Sequence, residues 1–423
     1  MNERLSTVTG GPGRHADVRS EGPDPLRAVV GLASAGVALI AVCYGLARVA
    51  YGLFVPTFRA EFGLDAATAG AVASGSYVGY CVAIVVATVA TARWGPRVVA
   101  VLAGACATAG TAMIAVAPGA LVLACGVVLA GSSTGLASPP LAQAVAQAVR
   151  PGLQPRVQSV VNAGTGLGVL VSGPVALALA GHWRWAWAAF AAAALAVTVW
   201  SWATVPGGVP RTRPAPSSPA VSSPAASSAA VPSTGTTADR VRRWAPPGSA
   251  RLILAAAVMG MGSAAVWTFG RDLVATAGAS ELTGTVMWIA LGGAGLLGAF
   301  AGDLTDRIGH SRSWILLMLL LAVATTGLAL APGDPVVAVV AAAAFGAVYI
   351  ALTGLLLLWG TRVHADRPVV GVGAAFLLLA AGQALGAPLL GVLADAVTTR
   401  GAFVGAALLL VLGAAVRPRR SHR

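Results

Sequence analysis

The residue with the most chemistry to offer is Arg48, a cation inside a long apolar run, with Tyr44 four residues before it and Tyr51 three after it. A charge at bilayer depth costs roughly 2.5–3.5 kcal/mol on insertion scales, so it ordinarily faces a cavity or a partner. On an α-helix these three side chains share one face. Arg48 lies about 9 Å beyond the midpoint of its run at ~1.5 Å rise per residue. Two readings stay open. Either Arg48 contacts an anionic or carbonyl-bearing ligand in a pocket shaped by Tyr44 and Tyr51, or it is a structural arginine bonded to helix-end carbonyls or a glutamine.

The acidic residues point the other way. All 14 lie in loops, tails or at the ends of apolar runs, with Asp303, Asp306 and Asp395 closest to a span. A buried proton relay needs a titrating acid at depth. A coupling proton, though a candidate partner, is left with Asp303, His182 or a proton carried by a ligand at Arg48.

Other polar side chains interrupt the apolar runs. Gln143 and Gln147 share one helical face, as do Gln158 and Asn162, and both pairs sit toward the same end. They are expected to form an inner gate. Gln383 falls mid-run, and Tyr77, Trp267, Trp288, Tyr349 and Trp359 offer rings for stacking on a ligand, with ordinary packing as the competing role of each. The expected ligand set is thus Arg48, Tyr44, Tyr51, Tyr77, Trp267 and Gln383. No H-E-x-x-H and no carboxylate pair within a run is present, and the G-x-S-x-G spelling at Gly131–Gly135 lies inside an apolar run rather than on a strand-to-helix turn. Cys43, Cys81, Cys106 and Cys125 lie in apolar runs without metal-type spacing. Neither an enzyme, a cofactor nor a metal is therefore expected.

These residues must be positioned by membrane helices. Hydrophobic residues make up 57% of the 423 and charged residues 10%, whereas a soluble domain carries about 25% charged residues. A bilayer crossing takes about 20 apolar residues. Twelve runs satisfy that: 28–56, 66–91, 98–117, 120–149, 157–180 and 185–204, then 252–275, 282–303, 313–331, 336–362, 369–396 and 400–416. The polar residues 1–27 contain no early apolar stretch of the secretory type. Residues 206–250, rich in Pro, Ser and Ala, are expected to be a disordered cytoplasmic linker between a six-helix bundle at 28–205 and another at 251–416. Residues 417–423 form a basic tail.

The formal charge of +13 comes from 27 arginines in short clusters between the runs, which argues against a nucleic-acid surface. Of these, 22 fall on one side of the predicted topology, and Arg59, Arg184, Arg271 and Arg400 fall on the other. The bias places both termini in the cytoplasm. The Arg-rich, Lys-free composition suggests a bacterial chain, and the cytoplasmic membrane, as a monomer, is the expected setting.

The two halves repeat at an offset of 214 residues: Arg93 and Gly95 match Arg307 and Gly309, Gly168 matches Gly382, and Pro174 matches Pro388. Parallel six-helix repeats build one large class of transporters. The stretch GAFAGDLTDRIGHSR (298–312) resembles the loop motif of the major facilitator superfamily, carried here by Gly298, Gly302, Asp303, Asp306, Arg307, Gly309 and Arg312. The first-half copy, TARWGPR (91–97), has Ala92 where the family's Asp stands. GTGLGVLVSGP (164–174) resembles the family's glycine-rich fifth-helix motif, and HWRWAWAAF (182–190) its entry to the sixth helix. The pattern of the first two helices is similar to a bacterial subgroup of efflux-type permeases. The resemblance implies an all-α membrane protein with twelve transmembrane helices in two pseudo-symmetric bundles, moving a small molecule by alternating access. Export is the expected direction. Uptake or facilitated diffusion of a small organic anion at Arg48 is the alternative.

Overall fold

The computed structural model describes residues 25–208, 246–297, 307–365 and 368–418, and among these the chain is helical, with no strand. We number twelve helices. The first, α1, is continuous through Pro25–Ile40, a π-helical stretch Ala41–Val49, and Ala50–Phe62. Then come α2 (Ala66–Trp94), α3 (Pro96–Ala115), α4 (Ala120–Ala148), α5 (Gln154–Ala178) and α6 (Trp183–Thr204). The second half comprises α7 (Ser249–Thr276), α8 (Glu281–Gly295), α9 (His310–Leu330), α10 (Pro335–Val363), α11 (Pro368–Ala396) and α12 (Thr399–Ala415). Ten of the helices are long and apolar enough to span a bilayer; α12, at 17 residues, is a shorter apolar helix.

Exposed side chains agree with a lipid-facing surface. Val89, Leu121, Val323 and Leu412 each stand more than half exposed on helices or their ends. Trp94, Trp185 and Trp202 are likewise exposed near helix ends, at the depth where indoles favour the membrane interface.

The repeat is visible in the backbone. Gly95 and Gly309 both precede a helix with φ of 83°, a conformation that glycine adopts without steric cost. Gly168 and Gly382 occupy equivalent places on α5 and α11. A side-chain carbon on Gly168 would strike the Ala41 carbonyl of α1, and one on Gly382 the Ala257 carbonyl of α7. Such close backbone approach supplies the van der Waals contact that holds helices together in lipid. Pro174 and Pro388 sit inside α5 and α11.

Between the halves, α2 packs on α11, α5 on α8, and α1 on α7. The first two contacts exchange under the 214-residue repeat. The near end of the molecule is the one where the chain enters α1 and leaves α12; the far end is opposite. A cluster of Phe54, Phe58, Phe62, Trp183, Trp187 and Phe190 fills the far part of the first half, with neighbouring rings 5.2–6.4 Å apart. Asp65 caps α2 by accepting from the Thr68 backbone N–H at 2.7 Å, and hydrogen bonding to Thr68 holds its carboxyl below the ordinary value.

Candidate functional site

Arg48 sits in the π-helical stretch of α1, where the bonding pattern runs i→i+5 rather than i→i+4. Its Nη2 donates to Gln383 Oε1 on α11 at 2.9 Å, a bond between the halves. Its guanidinium also covers the rings of Tyr77 and Tyr80 on α2, at 4.7 and 4.9 Å from their centroids. Gln383 Nε2 then donates to the Tyr349 hydroxyl on α10 at 3.2 Å. The Tyr44 hydroxyl pairs with Ser138 Oγ at 2.7 Å, and its ring meets Tyr80 edge-on at 6.4 Å. The bond to a glutamine is the partner foreseen by the structural reading of Arg48. What that reading does not supply is a counter-charge: no described carboxylate forms an ion pair with Arg48, and its Nε is buried without a hydrogen-bond partner.

Trp267 on α7 lies against Tyr349, Phe345 and Trp288, at 5.3, 5.9 and 6.3 Å between ring centroids, all edge-on. Its Nε1 is buried and unpartnered. Trp288 is tied instead to Ser172, donating at 3.1 Å. Trp359 packs on Trp314 and His310 near the opening of α9.

The structure thus brings Tyr44, Tyr77, Gln383 and, through Tyr349, Trp267 into one network around Arg48. Tyr51 is not hydrogen-bonded to Arg48 or Gln383: its hydroxyl donates to the Ala69 carbonyl at 2.9 Å, and its ring packs on Phe58. The face shared by Tyr44, Arg48 and Tyr51 presumes α-helical spacing throughout, and the π-helical turns change that register. Tyr80 was missed in the sequence, although Tyr77 and Tyr80 at i and i+3 form a pair that an arginine can cover.

Of the expected inner-gate residues, Gln158 Nε2 donates to Asn162 Oδ1 at 3.2 Å within α5, while Gln147 is exposed and Gln143 Nε2 is buried without a partner. Of the loop motif, Gly298, Gly302, Asp303 and Asp306 lie outside the described residues; Arg307 and Gly309 directly precede α9, and Arg312 lies in its first turn.

Asp272 lies near the C-terminal end of α7, as its place at the end of a run implies; it is 2% exposed there and pairs with Arg59 of the other half, because α1 packs against α7 at that end. Two further polar links join the halves at this far end. Arg271 Nη1 donates to the Leu53 carbonyl at 2.9 Å, and the Asp395 carboxylate accepts from the backbone N–H groups of Ala66 and Ala67, at 3.1 and 2.7 Å. His182 is exposed, and its Nδ1 lies 3.3 Å from the Ala180 carbonyl.

Comparison with known proteins agrees with this architecture. The family model described as Major Facilitator Superfamily matches residues 37–380. Among solved structures, the chain is similar to a D-xylose-proton symporter, with 14% identity, a TM-score of 0.70, and coverage of 93% of this chain and 97% of that one. It is similar to a mutant of the nucleoside transporter NupG, with 14% identity, a TM-score of 0.68, and coverage of 91% and 98%. It is also similar to a bacterial homologue of the human lysosomal transporter Spinster, inward-facing and unoccupied, with 15% identity, a TM-score of 0.69, and coverage of 95% and 100%. No curated protein matches it in sequence.

Proposed function

We infer the cargo from one premise: the chain belongs to the Major Facilitator Superfamily. It is a membrane transporter of a small molecule and not an enzyme. We propose that the cargo is a small organic anion held by Arg48. One observation carries this reading. Arg48 is a cation between the halves whose protein partners are a neutral glutamine and two ring faces. Gln383 Oε1 occupies one donor as a neutral stand-in, and Nε has no partner. A carboxylate arriving there replaces an uncharged acceptor with a charge-assisted bond of about twice the strength.

The cycle we infer is a rocking of the two six-helix bundles about this site. Gln383 and Tyr349 belong to one bundle, Arg48, Tyr44 and Tyr77 to the other, so a bound anion bridges both. In the present conformation the polar links at the far end hold that side shut. The arginine bias supports a bacterial cytoplasmic membrane with both termini inside, so that the far end faces outward. Export is the direction we infer, from the resemblance of Gly164–Pro174 to the fifth-helix motif. Uptake is the other reading, favoured by the similarity to a D-xylose-proton symporter.

The test is flux into and out of proteoliposomes, using radiolabelled mono- and dicarboxylates, with and without a pH gradient. Saturable movement of a carboxylate is expected, lost in Arg48→Ala and strongly reduced in Arg48→Lys. Normal transport by both variants would sink the assignment of Arg48. The orientation of the gradient that drives accumulation decides between export and uptake.

A further inference from the structure

We propose that the anion is aromatic and carries a second hydrogen-bond acceptor on its ring, which Trp267 reads through its indole N–H. The inference rests on the anion reading above and extends it to the body of the cargo. Among the buried donors without a partner near the centre, Arg48 Nε and Trp267 Nε1 are the two N–H groups. Leaving a buried donor without an acceptor is costly, so each marks an acceptor that the protein itself does not provide. The two are joined through the protein: Arg48 bonds Gln383, Gln383 bonds the Tyr349 hydroxyl, and the Tyr349 ring lies 5.3 Å from Trp267. Both halves contribute, Tyr77 and Tyr80 from α2 and Trp267 and Tyr349 from α7 and α10.

An unpartnered indole alone is not a site. Trp187 carries one too, but its ring neighbours are Phe54, Phe58 and Phe190, all from one half and without a charge among them. Trp267 differs in being linked to a cation that lacks a counter-ion. The ring faces supply the remaining chemistry. The planar guanidinium of Arg48 now covers Tyr77 and Tyr80. If a carboxylate draws it aside, those faces are freed for a flat cargo, and aromatic pairs add attraction beyond area burial.

The experiment is calorimetric titration of the purified full chain with benzoate, cyclohexanecarboxylate and 4-hydroxybenzoate, which needs no variant for its first answer. Benzoate is expected to bind about 3–10-fold more tightly than cyclohexanecarboxylate, and 4-hydroxybenzoate more tightly again by a similar factor. In Trp267→Phe the preference for 4-hydroxybenzoate over benzoate disappears. Equal binding of benzoate and cyclohexanecarboxylate overturns the aromatic inference. So does a Trp267→Phe protein that keeps the 4-hydroxy preference. Either result leaves the anion reading intact. Undiminished binding of benzoate by Arg48→Gln would instead overturn the anion reading itself.

Discussion

Arg48 and Arg59 lie on the same helix and both reach across to the second half, but they find different partners. Arg59 meets the carboxylate of Asp272, and its Nε also donates to the Leu64 carbonyl at 3.2 Å. Arg48 meets the amide oxygen of Gln383 and the faces of two tyrosines. A cation with a carboxylate beside it has its charge answered within the protein and serves to hold two helices together. A cation answered only by neutral groups keeps attraction to spare for something that arrives. On the proposed reading, the difference separates a seal at the far end from a binding group at the centre, and substitution can break or sharpen it.

The largest effect is expected at Arg48. Loss of one member of a desolvated charge contact costs roughly 2–5 kcal/mol, so Arg48→Gln should lower carboxylate flux by at least about 30-fold. Measured beside it, the exchange Arg48→Gln with Gln383→Arg, which returns the charge to the centre, should recover part of that flux. Next comes the seal. Asp272→Asn leaves Arg59 facing a neutral group; with Arg59 partly exposed to solvent, we expect a loss of about 1–3 kcal/mol, seen as a lower midpoint in thermal unfolding in detergent. The swapped pair Arg59→Asp with Asp272→Arg should restore most of it. If instead the Asp272 variant abolished ligand binding while leaving unfolding unchanged, the division between seal and site would be wrong.

A steric change probes the same seal without touching charge. A side chain at Gly52 would strike the Trp267 carbonyl and the Trp288 ring, forcing α1 away from α7. Gly52→Leu should therefore favour the far-open arrangement. A cysteine at Thr268, which is 1% exposed, would then react several-fold faster with a membrane-impermeant thiol reagent applied from the far side. The four native cysteines would first be replaced. The smallest effect is expected at Arg184, whose 2.9 Å pair with Glu61 has both side chains more than 40% exposed. Arg184→Ala should shift stability by less than about 1 kcal/mol and leave binding unchanged.

Much of this architecture is legible without coordinates. The apolar runs mark the helices because lipid demands length and continuity. The repeat survives in residues with a strict backbone task, such as Gly95 and Gly309. Arg48 and Gln383 stand out because polar groups are rare at depth. Other features depend on which helix lies beside which. Asp272 reads as a terminal acid until α1 is laid against α7. Tyr80 reads as one more aromatic until Arg48 is turned onto it. The direction of Tyr51 is hidden for a different reason: a shared face with Arg48 presumes uniform winding, and α1 is not uniformly wound.

That winding has a mechanical consequence. The π-helical stretch spans nine residues, Ala41–Val49. A turn closed by i→i+5 bonds holds close to one residue more than the 3.6 of an α-turn. Converting the whole stretch to ordinary winding would therefore swing everything beyond it by close to half a revolution relative to everything before it. The helix behaves as a shaft with a coupling in its middle. Arg48 rides on the coupling and Arg59 on the shaft past it, so a local rewinding turns the binding group and the seal through different angles. Such a change of pitch would couple the two without bending the helix.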